Sequence, residues 1–468
     1  MLSTYIMKQL LFLLKPLSGC ALLLCGLLST ATAQEKIGLQ KAVDMALERN
    51  LTIKQAAFTE ALDEANLQQS KNNRLPSLTS SVQSSENFGR ALDVTTYQYS
   101  SNKKILAINP SVNSQATIFQ GGQLRNQIIQ NKLLLDADKS NTAKIKNDLV
   151  LNVIIEYLQI LTNQDLVTAA KQQIDIANQT LDRANINFKV GNQTLADLSQ
   201  AKAGLSTAQL NLINAQNQLD LSILILKQYM EIGPATAIEV EKPDISKITD
   251  VKTEFDPESI VATAMNVNPD VKLAESQQAV YEQAIKVAKG SYYPTLSMFG
   301  SLNSNYSNSA NQKVIGLTSG GQPIYGPYTF SSKLSDNFSQ TFGLSLQIPI
   351  FNRFNARTNV RRAKINFESA SVSTQIAKNN LTKTIYQAVL DARASANQYQ
   401  SAQQTYQANK DAFNVIQQRY NVGLVNSLDY NTSLTNLNTS ENSMIQARYQ
   451  MVFRSKVIDY YLGNPITL

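Results

Sequence analysis

The strongest constraint on this chain is that it is written twice. The stretch FKVGNQTLADL at Phe188–Leu198 returns as YNVGLVNSLDY at Tyr420–Tyr430, an offset of 232 residues. At that offset Ile118-Phe119 meets Ile350-Phe351, Arg125 meets Arg357, Leu149 meets Leu381 and Tyr229 meets Tyr461, without a gap. Further upstream the offset becomes 218, where Asn50 meets Asn268, Lys54 meets Lys272 and Pro76 meets Pro294. Self-similarity of this kind fixes the architecture before any local reading does. The two copies cover residues 34–232 and 257–468, joined by a connector at 233–256 that contains GPATAIEVEKPDISKITD. The difference in offset puts an insertion between Pro294 and Phe351, read as a Ser/Asn/Gly/Tyr-rich loop with nothing to pack.

Each copy shows the same succession of periods. A helix of about thirty residues is expected over Ala42–Asn73 and again over Glu258–Lys289, where Asp256-Pro257 supplies an N-cap and a first-turn proline. The apolar period then changes from 3.6 to 2. Phe342, Leu344, Leu346, Ile348 and Ile350 alternate with Gly343, Ser345, Gln347 and Pro349, and Leu106, Ile108, Val112, Ala116 and Ile118 form the equivalent row. With weaker rows at Leu78/Val82 and Leu296/Met298/Leu302, this predicts a β-hairpin over 77–119 and another over 295–351. Two proline-free stretches follow, at 122–187 and 354–419, each about 100 Å long as a helix. They turn at Val-Gly, near 190–192 and 422–424, and return over 194–230 and 426–462. The first return helix carries Leu198, Leu205, Leu212, Leu219 and Leu226 at heptad spacing, with Ala201, Ala208, Ala215 and Ser222 between them. That is a coiled-coil seam with one small edge.

The N-terminus reads as an export signal over residues 1–33: Lys8 and Lys15, an apolar run from Ala21, and Ala31-Thr32-Ala33. Leu17-Ser18-Gly19-Cys20 offers the alternative of lipidation at Cys20. Cleavage after Ala33 removes both cysteines. The remaining chain has no Cys, His or Trp, which excludes disulfides and thiolate or imidazole metal sites. The formal net charge of +7 becomes +5 without Lys8 and Lys15, too mild a balance to indicate nucleic acid. No catalytic constellation and no cofactor motif is visible, so an enzyme is not expected. A later 18-residue apolar run is also absent.

Four strands with an apolar face cannot fill a soluble β core, and four cannot enclose a lumen, since small barrels have about eight. A shared barrel built by several subunits resolves both difficulties, and its edges vanish only on closure. The fold class expected is mainly α with a small β part.

At this point the chain resembles the TolC family of outer-membrane efflux channels. The resemblance rests on the tandem halves, the junctions TIFQGGQLR and IPIFNRFNAR, and the paired tips FKVGNQTLADL and YNVGLVNSLDY. It implies a homotrimer with a 12-stranded barrel in outer-membrane lipid and an α-barrel crossing the periplasm. It further implies docking of a periplasmic adaptor (membrane fusion) protein at Val190, Gly191, Val422 and Gly423, and an inner-membrane RND, ABC or MFS pump behind it. The channel would be a passive exit for efflux or type I secretion. Asp197, Tyr420 and Asp429 would belong to the periplasmic gate, with Asp429 in a ring at the narrowest entrance and Asp197 tying the closed tips. The residues allow a second role. Thr194 and Asn426 stand three before each Asp, the spacing of an N-cap and a first-turn carboxylate, and both roles can coexist. The chain departs from relatives that carry a basic residue after the second Val-Gly, since Val425 and Asn426 stand there, and Thr432 replaces a second acid. The rival class is an exported coiled-coil scaffold without a pore.

Overall fold

The computed structural model describes residues 35–93, 98–100, 104–243, 252–309 and 312–464. The export signal and Cys20 lie outside these residues. The first copy runs β1 (Glu35–Ile37), α1 (Leu39–Arg49), α2 (Leu51–Asn72), β2 (Ser77–Asn87), β3 (Ala91–Asp93), β4 (Gln98–Ser100), β5 (Ile105–Gln120), α3 (Gln123–Lys189) and α4 (Leu195–Tyr229). After β6 (Ile238–Val240) the second copy runs α5 (Pro257–Val267), α6 (Pro269–Lys289), β7 (Thr295–Asn303), β8 (Tyr306–Ser307), β9 (Gln312–Leu317), β10 (Pro323–Pro327), α7 (Phe330–Asp336), β11 (Ser339–Gln347), α8 (Asn355–Asn421) and α9 (Ser427–Leu462).

The long helices form as expected, 67 residues each. The helix preceding each hairpin does not. It is broken in two at Asn50 in the first copy and at Asn268 in the second. Each Asn leaves the helical region (ψ 130° and 126°), and its side chain accepts the amide of the residue two ahead. A side-chain carbonyl replaces an intrahelical bond, and Pro269 then starts the next segment at a position needing no donor. The break has a use. Asn50 Nδ2 donates to Tyr229 O at 3.3 Å, so α4 ends where α2 begins. The 35 residues of α4 and 22 of α2 together flank one continuous α3.

The core sits around these breaks. Ile37, Ala46, Val153, Tyr157, Leu161, Leu226, Met230 and Val452 are buried together, and Ile260, Val271, Ile385, Val389 and Ile458 form the matching cluster of the second copy. Tyr157 OH donates to Glu241 O at 2.6 Å, tying α3 to the strand pair β1–β6. Away from this belt, toward the Val-Gly turn, α4 is held by the heptad seam, where Leu198, Ala201 and Ala208 are buried.

β2, β5, β7 and β11 make one antiparallel sheet in the order β11-β7-β5-β2. Its register puts Leu78, Val112, Ala116, Met298, Leu302, Leu344 and Leu346 on one face and Thr79, Asn113, Gln115, Ser297, Ser301, Thr341 and Ser345 on the other. The Phe342 ring lies over Gly300, and the Phe299 ring over Gly343, in neighbouring cross-strand pairs. β11 stops at Gln347, short of the expected Ile350, because Pro349 has no N–H to donate. The inserted segment also differs from expectation. It carries the β9–β10 hairpin and α7, and Lys333 is buried, donating to Ser307 O at 2.7 Å with the Tyr306 ring 4.8 Å away. The clustered tyrosines give a Ser/Asn-rich stretch something to pack on.

At the sheet-to-helix junction the two copies share one backbone conformation with different residues. Gly121 and Gly122 have φ of 56° and 74°; their equivalents Arg353 and Phe354 have φ of 55° and 60°. In the first copy glycine is required, because a Cβ on Gly121 would stand 2.4 Å from Gly290 O. In the second, left-handed backbone at non-glycine residues costs about 1–2 kcal/mol each.

Candidate functional site

The two turns lie at the end of the rods opposite the sheet. α3 ends in a left-handed glycine, Gly191 (φ 79°), with Gly191 N donating to Phe188 O (3.1 Å) and Asn192 N to Asn187 O (2.8 Å). α8 ends identically at Gly423 (φ 80°), with Gly423 N to Tyr420 O (3.2 Å) and Leu424 N to Arg419 O (2.9 Å). These are Schellman closures, which need a residue free to adopt positive φ. A Cβ on either glycine would meet nothing within 4 Å, so both turns are open to solvent. Val190 and Val422 beside them are exposed, as are Leu195, Leu424 and Leu428. The tips therefore present small apolar knobs on a polar rod.

The tips of one chain lie side by side. Gln193 Nε2 donates to Tyr420 OH at 2.9 Å, Thr180 Oγ1 meets Tyr430 OH at 3.1 Å, and Arg183 Nη1 donates to Asn421 Oδ1. Tyr420 stacks on Tyr430 with ring centroids 4.5 Å apart. Asp197 Oδ2 accepts from Thr194 N (3.0 Å) and Thr194 Oγ1 (2.7 Å), while its Oδ1 accepts from Ser427 Oγ of the other tip. Thr194 Oγ1 accepts from Asp197 N in return, a capping box. Those bonds, Ser427's first and Thr194's next, hold the Asp197 carboxyl below the usual carboxylate range. Asp197 thus starts its helix and ties two tips at once. Asp429 stands apart: Asn426 Oδ1 accepts from Asp429 N at 2.8 Å, and among the described residues the Asp429 carboxylate has no hydrogen-bond or ion-pair partner.

The structure brings Asp197 and Tyr420 into this contact, and the sequence reading missed Ser427, Gln193 and Tyr430 as their partners. The missing signal was the placement of one copy's tip beside the other. A second polar cluster also escaped it. Asp165 on α3, 8% exposed, accepts from Lys242 of the connector and from Arg448 and Tyr449 (2.9 Å) of α9. No helix among the described residues is long and apolar enough to cross a membrane.

The chain matches the profile of the outer membrane efflux protein family over residues 42–230 and 260–464, nearly all of the described structure. It belongs to that family. Membership places it in the outer membrane, with the rods forming a large periplasmic part. Toxin and drug export protein A of Aggregatibacter actinomycetemcomitans is 24% identical over 48% of this chain and 44% of its own length. Outer membrane protein TolC of Escherichia coli is 22% identical over 54% of this chain and 48% of its own length. The matched stretches thus span about half of these relatives. Among solved structures, CusC superimposes with a TM-score of 0.75 at 15% identity, covering 91% of this chain and 92% of CusC. The CmeC outer membrane channel of Campylobacter jejuni gives 0.74 at 19% identity, covering 91% of this chain and 85% of CmeC. The efflux-family fold, mainly α with a small sheet and an internal duplication, is therefore that of this chain.

Proposed function

We propose that three copies of this efflux-family chain close into one channel, the passive exit of a tripartite efflux or type I secretion assembly. The sheet carries the proposal. It has one face on which Leu78, Val82, Met298, Phe342, Leu344 and Leu346 are exposed in the single chain, interrupted by Ser80, Ser114 and Gln340. The opposite face is polar apart from Phe299, and among the described residues there are two unpaired edges, β2 and β11. Such a sheet is stable in lipid only when its edges are closed. A scaffold without a pore leaves that face without a role. The name of the Aggregatibacter relative supports toxins or drugs as cargo class. Conductance in planar bilayers tests the channel itself: trimers that insert without conducting contradict it.

In this reading the tips dock a periplasmic adaptor, which an inner-membrane RND, ABC or MFS pump drives. The open turns at Gly191 and Gly423 and their flanking apolar knobs support this. Gly423→Trp is expected to abolish efflux while trimer and barrel stay intact, since the indole projects into open space at a backbone angle a side chain resists. Wild-type efflux in that variant contradicts docking at this tip.

The same tips form the gate. Three unpartnered Asp429 carboxylates in a narrow mouth favour cation passage. Asp429→Ala is expected to reduce cation selectivity and block by a trivalent cation from the periplasmic side. Asp197→Ala is expected to raise the open fraction instead. The depressed Asp197 carboxyl contributes its tie above the ordinary carboxylate range, and the tie is lost as pH falls through the lowered value. Acidification below that range should therefore open wild type and leave Asp197→Ala unchanged. An Asp429→Ala channel with unaltered selectivity, or an equal acid response in both proteins, counts against these roles.

A further inference from the structure

Three of the four chain crossings between sheet and helices lie at one level, since Thr295 pairs with both Gln120 and Gln347, and the fourth enters β2 at Ser77, opposite Gln115 and further into the sheet. Their charge is one-sided. Arg353, Arg357, Arg361, Arg362 and Lys364 fall within twelve residues, and Arg74, Arg125 and Lys289 stand at the other three crossings. All are exposed, and none enters a salt bridge among the described residues. No carboxylate occurs in 65–76, 120–135, 283–294 or 348–367. A solvated helix face normally mixes signs; this band does not.

Three further observations define what the band meets. It begins where the apolar sheet face ends, and Tyr292, Tyr293, Phe351 and Phe354 are exposed there, the placing of an aromatic girdle at a bilayer surface. α3 and α8 both start at this level without a side-chain cap, leaving first-turn N–H groups for external acceptors. Most telling is the junction backbone. The first copy satisfies its two left-handed positions with Gly121-Gly122, whereas the second keeps the same angles with Arg353-Phe354. The strain has no packing reason on the Phe354 side, since that ring is largely exposed and touches Phe351 edge-on at 5.4 Å. It keeps Arg353 and Phe354 consecutive and exposed where the sheet ends.

We propose that this junction is a headgroup site for anionic phospholipid of the periplasmic leaflet, with Arg353, Arg357 and Arg361 on the phosphate and Phe354 against the acyl boundary. Arginine is permanently charged and matches phosphate oxygens in pairs, and a long basic side chain reaches up to the interface. The proposal rests on the outer-membrane channel reading above.

The test uses the full trimer in nanodiscs of phosphatidylcholine with a minor fraction of phosphatidylglycerol. Native mass spectrometry reads the lipids retained, and bilayer recording reads conductance. Wild type should retain phosphatidylglycerol in excess of its bulk fraction. Arg353→Gly/Phe354→Gly, which copies the first repeat and relieves strain, should keep the trimer and lower that excess about fivefold or more. Arg357→Gln/Arg361→Gln should act likewise, and Arg357→Lys/Arg361→Lys should restore most of it. Unchanged retention in both neutral variants overturns the site. So does displacement of the lipid by excess inorganic phosphate, which assigns a free-anion site, or altered ion selectivity with retention intact, which puts the arginines in the lumen. Retention without conductance in any lipid leaves the site standing and removes the channel reading; conductance without retention does the reverse.

Discussion

Leu344→Arg is expected to prevent assembly in the outer membrane, whereas Ser345→Arg one residue further along β11 is expected to be tolerated. Leu344 lies near the middle of the strand, pairs with Met298 on the apolar face and is 67% exposed in the single chain. An arginine at the midplane of a lipid-facing barrel surface costs about 2–4 kcal/mol, and a trimer carries three of them. Ser345 points to the polar face, where an added charge changes the ionic character of the lumen and not the stability. Trimer yield in outer-membrane fractions and the temperature at which the trimer dissociates on a gel measure the difference. Equal tolerance of both substitutions, or a worse outcome for Ser345, would place the wrong face in lipid.

The second large effect is expected at the middle of the rods. Asp165→Ala removes the single acceptor that Lys242, Arg448 and Tyr449 share. Arg448 is 11% exposed, and its Nε already lacks a partner, so it cannot recover the lost bonds elsewhere. Breaking a buried pair by deleting one member costs about 3–5 kcal/mol, because the other charge stays buried and unpaired. Burial and the Asp165 carboxylate hold the Tyr449 phenol up, so it stays a neutral donor across the working pH range. Guanidinium unfolding of the purified protein should show this loss, with proteolysis near the connector rising in parallel. Asp165→Leu combined with Arg448→Met should regain much of the stability, because a packed apolar pair needs no partners. A variant of Asp165→Ala with wild-type unfolding would show that the node contributes nothing to holding connector and copies together.

These two sites differ in how far the sequence exposes them. The faces of β11 are legible because a strand alternates strictly, and Leu344 and Ser345 fall on opposite sides whatever the partner. The turns at Gly191 and Gly423 are legible because a long proline-free heptad run must end somewhere, and a repeated Val-Gly supplies the left-handed residue. Asp165 is not legible. Its partners are 77, 283 and 284 residues away, and a carboxylate on a long helix looks like any solvated residue until those segments are placed. The same holds for Ser427, whose role depends on the two tips standing together. Asn50 and Asn268 were recognisable as equivalent, yet the apolar pattern continues through both. Only the cap geometry shows that each side chain ends one helix and starts the next. The insertion misled for the opposite reason: its polar composition hides a small cluster built on Tyr306, Tyr328 and a buried lysine.

In the channel reading the strand path β11-β7-β5-β2, with the short β8 beside β5, is a third of a closed barrel. The order β11-β7-β5-β2 leaves β2 and β11 as the edges, so closure must pair β2 of one chain with β11 of the next. The described residues contain no cysteine, which makes engineered pairs unambiguous. Cysteines scanned through Thr79, Ser81 and Gln83 on β2 against Ser339, Thr341 and Ser345 on β11 share the polar face. Oxidation in intact outer membranes should, for at least one register, give a covalent species of three chains on a denaturing gel, and reduction should return monomer. Bonds that form only within one chain, or species that stop at two, would contradict the barrel.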